Sequence, residues 1–279
     1  SSGTGAAYTI SSTLVNGGGW GPAVCNESDV VFDAYFAEAE WSYSAPANFS
    51  ALNTTNLAAP TIVDPSTNFQ VATYTGNGST QSITFGGNSN MQPDIVWMKC
   101  RSDDDSHVFQ DAARGTGKAL FWNNNEVEDA VTDAVTSFAT DGFALGDGSE
   151  LANGDVNTSS RTYVSWNWAA GNSGSSNTDG SINTTTTYVD TTAGISISTY
   201  TGTGSGATVG HGLGVTPTTT WVFPRSIGDN HIASNWESGI TVYSEKWALN
   251  LENGAEASSN HITGATSTTF TIGTDRNVN

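Results

Sequence analysis

The sequence predicts an all-β fold of tandem antiparallel β-sandwich domains, jelly-roll-like and with little helix, on three observations. Ser, Thr, Asn and Gly make up 128 of 279 residues, a composition suited to many tight turns, while 9 Trp, 8 Tyr and 11 Phe supply bulk for strands and cores. Apolar and polar residues alternate with period two in several short runs. One ordered series of motifs occurs twice.

The repeat sets the domain organisation. FQVATYTGNGS from Phe69 returns as ISISTYTGTGS from Ile195, with Tyr74 and Tyr200 offset by 126 positions. PDIVWMKCRSDDDSH from Pro93 faces PTTTWVFPRSIGDNH from Pro217, so Trp97, Arg101, Ser102, Asp105 and His107 recur as Trp221, Arg225, Ser226, Asp229 and His231. Lys118, Ala119 and Leu120 have a looser echo in Lys246, Ala248 and Leu249. Phe143, Leu145 and Gly146 line up with Phe270, Ile272 and Gly273. The expected units are 67–171 (first copy), 172–193 (a Ser/Thr/Asn-rich linker) and 194–279 (second copy). Residues 1–66 fall outside the repeat and read as the closing strands of another sandwich.

Alternation places strands at Phe69 to Tyr74, Gln81 to Phe85, Asp94 to Cys100, Val108 to Asp111, Ala119 to Trp122, Ser137 to Leu145 and Arg161 to Trp168. The run from Ile95 to Met98 is apolar on both faces, which predicts a central strand. Between Glu126 and Val135 the spacing of Val127, Ala130, Val131, Ala134 and Val135 behind Asn125 suits a short helix. Gly254 and Gly264 in the second copy speak against it, so that segment stays open. Thr184 to Val189 is β-branched enough for an added edge strand.

The cleanest alternating run is RTYVSWNWAAG from Arg161, with Thr162, Val164, Trp166 and Trp168 on one face and Tyr163, Ser165 and Asn167 on the other. The second copy reaches Asn279 before its counterpart. A sandwich short of a strand leaves an open edge, so either the polypeptide is expected to continue or a neighbouring chain to supply the strand.

With 8 Lys and Arg against 27 Asp and Glu, the net charge is −19. That balance argues against nucleic acid, which asks for clustered cations, and against a polybasic membrane anchor. No apolar run approaches the roughly 18 residues of a membrane span. Cys25 and Cys100 have no metal-site spacing, and their pairing stays open.

Few residues propose chemistry. The recurring Arg101, Asp105, His107 and Arg225, Asp229, His231 offer a carboxylate and an imidazole on one strand face, and read best as ties for the turn after a central strand. No catalytic residue, metal ligand or cofactor site is predicted. The acidic runs at Asp103 to Asp105 and at Glu126, Glu128, Asp129 and Asp133 lack calcium-loop spacing and read as solvated surface. Trp122, Trp236 and Trp247 are candidate carbohydrate contacts, since an aromatic face complements the C–H face of a sugar.

The motifs FQVATYTGNGSTQSITF, PDIVWMKCRS, DAARGTGKAL, TSFATDGFALG and RTYVSWNWAAG together resemble a β-rich domain of tail-fibre-like virion proteins of bacteriophages, marine ones especially. TAGISISTYTGTGSGATVGHGLGVTP is similar to its tandem version, and GWGPAV with VVFDAYFAEAEWSYSAPANFSAL to the end of a SPRY-like sandwich. The departures are Phe223 and Pro224 in the places of Lys99 and Cys100, and the unfinished second copy. The resemblance implies a non-enzymatic virion fibre or appendage on the particle surface. Its expected partners are its own copies in a homotrimer, other virion proteins and host-surface polysaccharide. The alternatives are a secreted or cell-surface adhesin of a marine bacterium and a fibre-borne polysaccharide depolymerase.

Overall fold

The computed structural model describes residues 57, 59–235, 245–251, 256–257 and 260–279. Both copies lie in one unit, Pro60–Asn279. The expectation for residues 1–66 falls almost wholly outside the described residues, as does Cys25, whereas Cys100 is a buried free thiol.

The alternating run after Arg161 becomes strand β9 (Thr162–Trp168), and it sits inside a sheet rather than on its edge. The sheet order is β1-β9-β3-β4-β5-β6, with β1 at Phe69–Thr75, β3 at Ile95–Cys100, β4 at Val108–Asp111, β5 at Lys118–Phe121 and β6 at Asp129–Ala130. The register sets Trp166 between Val71 and Trp97, and Tyr163 between Tyr74 and Cys100. Tyr163, Ser165 and Asn167 point inward and are buried, while Val164, Trp166 and Trp168 stay half-buried on the outer face. A second sheet, β2 (Gln81–Ile83), β8 (Gly142–Leu145) and β7 (Val135–Ala139), covers the inner face. Ile83, Phe143, Leu145 and Val135 meet Val96, Met98, Val108 and Phe121 there, giving an all-β sandwich.

One expectation changes, and one open segment is decided. The run from Ser137 to Leu145 is a hairpin: Thr140 and Asp141 form the turn between paired Ala139 and Gly142, and Gly142 takes φ +109° as it enters the strand against β2. A Cβ at Gly142 would stand 1.9 Å from the Ile83 carbonyl oxygen, so the close approach requires glycine. The segment 126–135 is not helical: β6 and the start of β7 occupy it, and Val131, Ala134 and Val135 drop into the core.

The second copy repeats eight of these strands. They are β12 (Ile195–Thr199), β13 (Ala207–Gly210), β14 (Thr219–Val222), β15 (Ile232–Asn235), β16 (Glu245–Ala248), β17 (Glu256–Ala257), β18 (Ile262–Ala265) and β19 (Thr269–Ile272). The sheets β14-β15-β16-β17 and β13-β19-β18 enclose Val209, Val222, Ile232, Phe270 and Ile272. The linker contributes β10 (Gly174–Ser175) and β11 (Thr186–Asp190), which extend β12 on one side. Leu249 N donates to His231 O as Trp122 N donates to His107 O, so Leu249 matches Trp122, not Leu120.

One polar fastening is built twice. Asn157 Nδ2 donates to the carbonyls of Ser79 and Gly146 at 2.5 and 2.6 Å, and its Oδ1 accepts from Asn77 N. Asn279 does the same to Ser205 and Gly273, accepting from Thr203 N. Tyr74 and Tyr200 hydroxyls donate to the carbonyls of Val156 and Val278 at 2.9 and 2.6 Å. Asn279 is thus the counterpart of Asn157.

Candidate functional site

The outer face of the large sheet carries aromatics because β9 and β3 alternate in phase. Trp166, Trp97, Trp122 and Trp221 form a ladder with successive ring centroids at 5.1, 4.3 and 5.0 Å, the last step crossing from the first copy to the second. Phe223 stacks on Phe109 at 5.7 Å and touches Trp122 at 5.2 Å. Such pairs contribute about 0.5–1.5 kcal/mol each beyond area burial. The ladder is therefore a seam between copies at one end. At the other end Phe69 lies 5.0 Å from Trp168, and Phe69 and Val71 remain 38% and 48% exposed.

Charges fasten the seam. Arg114 is buried, bonding Asp111 at 2.6 Å, Glu128 at 3.2 Å and the Phe109 carbonyl at 3.1 Å. Glu128 also takes Arg225 from the second copy through both carboxylate oxygens, at 2.6 and 2.8 Å. Burial raises the Glu128 pKa, but the Arg225 and Arg114 guanidiniums outweigh it and hold the carboxyl below its ordinary range. Glu128 was expected on solvated surface; its side chain is only 8% exposed, because two arginines compensate the burial. On the far side, Asn68 Nδ2 donates to Asp190 Oδ2 at 3.0 Å.

The recurring motif diverges in use. Trp97 Nε1 donates to His107 Nδ1 at 3.1 Å, and burial, followed by the Lys99 charge, lowers the His107 pKa. His231 is fully buried with its ring 4.7 Å from Phe223, and burial pushes its pKa down to about 4 against a weaker opposing pull from the Trp122 main chain. Asp105 bonds Arg161 at 2.8 Å, and Asp229 bonds Arg276. Arg101 is exposed, whereas Arg225 holds Glu128. The conserved spacing gives one carboxylate–arginine tie per copy but places the histidines and the leading arginines in unlike settings.

Of the aromatic candidates, Trp122 is enclosed by Trp97, Phe109, Trp221 and Phe223, which makes it a seam residue with little free ring face. Trp236 lies outside the described residues, as does the side chain of Trp247 on β16. Sequence reading missed Phe69, Val71, Trp166 and Trp168 as a surface, although their strict alternation was visible.

Cys100 Sγ, Asp105 and Asp155 converge within 4.8 Å. Arg161 bridges the two carboxylates at 2.8 and 2.9 Å, and Tyr163 Oη donates to Asp155 at 2.5 Å. Burial raises the Asp155 pKa, yet the bonds from Tyr163, Asn157 and Thr158 prevail and lower it. With a guanidinium already between its carboxylates, this cluster is a structural tie.

No curated protein and no solved structure matches the chain. Among the described residues no helix is long and apolar enough to cross a membrane. Residues 64–279, both copies together, match the model of a single family, and the chain accordingly belongs to DUF7483, a domain of unknown function.

Proposed function

We propose that this chain is part of a bacteriophage virion appendage, a tail or capsid fibre, whose tandem sandwiches present a binding face to host-surface polysaccharide. The observation that carries this reading is the outer face of β1 and β9, where exposed Phe69 and Val71 lie beside half-buried Trp166 and Trp168. A row of apolar groups on a rigid sheet complements the C–H faces of linked sugars and needs no moving parts. Binding is favoured over catalysis because the titratable clusters already hold the fold: Arg161 satisfies Asp103, Asp105 and Asp155, and Arg114 satisfies Asp111 and Glu128. The net charge of −19 repels phosphate backbones and suits a neutral or cation-bridged glycan. Homotrimeric assembly with other virion proteins completes the proposal.

The test is affinity electrophoresis through gels containing host polysaccharide. Retardation is expected, weakened about tenfold by Phe69→Ala or Trp168→Ala, each removing roughly 1–1.5 kcal/mol of stacking. Unretarded migration overturns the ligand; absence of the chain from purified particles by mass spectrometry overturns the location. A single-chain molar mass by light scattering overturns the trimer.

A further inference from the structure

In the first copy, β9 joins β1 to β3. In the second copy their counterparts β12 and β14 are each the last strand of a separate sheet, and among the described residues no strand stands between them. By the register of the first copy, the edges of β12 and β14 that end these sheets are the ones that β9 occupies on β1 and β3. Asn68 O accepts from Ala169 N and Gly76 N donates to Arg161 O, so even-numbered residues of β1 address β9. Their counterparts 126 positions on are Ser196, Ser198 and Tyr200. Thr199 O is taken by Thr185 N, placing β11 on the opposite edge of β12. In β3 it is the odd-numbered residues that address β9, as Arg101 N does to Thr162 O, which leaves Thr219, Trp221 and Phe223 on the open edge of β14. Pro224, a residue without an N–H, falls at an even position and costs that edge no donor.

The interior carries the same imprint. Tyr163 of β9 stacks on Tyr74 at 5.1 Å and donates its hydroxyl to Asp155, two residues before Asn157. In the second copy Tyr200 stands in the place of Tyr74, and Asn277, two residues before Asn279, stands in the place of Asp155. Asn277 is 8% exposed and its Oδ1 is buried with no hydrogen-bond partner. Leaving such an acceptor unmet is destabilising, and a donor brought to it restores the loss. On the outer face, Trp97 is flanked by Trp166 and half-buried, whereas Trp221 is 48% exposed.

We propose that the second copy is completed by β-strand addition: an extended peptide segment of β9's chemistry inserts antiparallel to both β12 and β14. It carries a tyrosine whose ring lies on Tyr200 and whose hydroxyl donates to Asn277 Oδ1. Small polar residues follow at alternate inward positions, and an aromatic or β-branched residue faces outward beside Trp221. The main chain supplies affinity through two rows of hydrogen bonds, and the tyrosine fixes the register.

The probe is the synthetic peptide RTYVSWNWAAG added to the full chain, with binding measured by fluorescence anisotropy and the location by hydrogen exchange. Saturable binding with protection of 195–200 and 219–223 is expected, and replacing the peptide tyrosine by phenylalanine weakens it about tenfold. Asn277→Ala abolishes that difference between the two peptides. As a second measurement, the same strand is fused after Asn279 through the four-residue link that joins Asn157 to Thr162; this fusion raises Tm and protects the same segments. Protection confined to other strands, or a folded chain with neither peptide binding nor a Tm gain on fusion, overturns the proposal.

Discussion

Glu128 of the first copy and Arg225 of the second form a two-toothed ion pair, with both guanidinium contacts under 3 Å, and the same Glu128 reaches Arg114 inside its own copy. Removing Glu128 leaves a buried Arg114 half-compensated. Glu128→Ala is expected to cost about 2 kcal/mol in chemical denaturation, less than a fully buried pair because Arg225 is 40% exposed. Arg225→Ala costs less than Glu128→Ala, since Arg114 still answers the carboxylate.

The same pair sets an acid limit. The folded Glu128 pKa is depressed, so its contribution is complete above the unfolded value near 4.3 and disappears as pH falls through the lower folded value. A Glu128→Gln variant loses the contribution at neutral pH and shows a flatter stability profile below pH 4. Equal acid slopes for both proteins would refute the assignment.

His231 acts in a higher window. It is neutral in the fold with a pKa of about 4, while the unfolded residue titrates near 6.5, so protons favour the unfolded chain. Stability from this group is full above about pH 6.5 and fades as pH drops toward 4, by roughly 3 kcal/mol in all. His231→Phe, which keeps the ring beside Phe223, removes that slope when Tm is followed from pH 7 to 4.

Trp97 and Trp122 stack at 4.3 Å with planes 16° apart, close enough for coupled indole transitions in the far-ultraviolet circular dichroism. Trp122→Ala should abolish that couplet and cost about 3 kcal/mol, the low end for a large aromatic because the residue is only half-buried. An unchanged couplet would place the stack elsewhere.

Asn157 and Asn279 permit a matched comparison. Asn157→Ala strands the buried Gly146 carbonyl and frees the Ser79 carbonyl at the surface, and is expected to cost about 2 kcal/mol by urea unfolding. Asn279→Ala, at a more exposed site, costs less. A reversed order would mean that the two fastenings do not carry equal roles.

Much of the architecture was legible where one physical rule acted alone. Alternation fixed β9 and β3 to within a residue, and the double apolar face of Ile95 to Met98 correctly marked a central strand. Reading failed where tertiary contact chose between local options. The helical spacing of Val131, Ala134 and Val135 is real, yet those side chains reach the core from irregular chain and strand. The hairpin read as one strand because Phe138 in one arm and Phe143 and Leu145 in the other continue an apolar series across a turn of only two residues. Glu128 looked like one more surface acid, and only the arrival of Arg225 from a distant position reveals its burial. The paired Val156–Asn157 and Val278–Asn279 dipeptides were a readable signal for the second fastening.

The interlocked rings at the seam also limit how this protein can be inherited. Because Phe109, Trp122 and Glu128 contact Trp221, Phe223 and Arg225, separating the copies would uncover more of these rings and take Arg225 from its carboxylate. Relatives are accordingly expected to gain and lose the two sandwiches together.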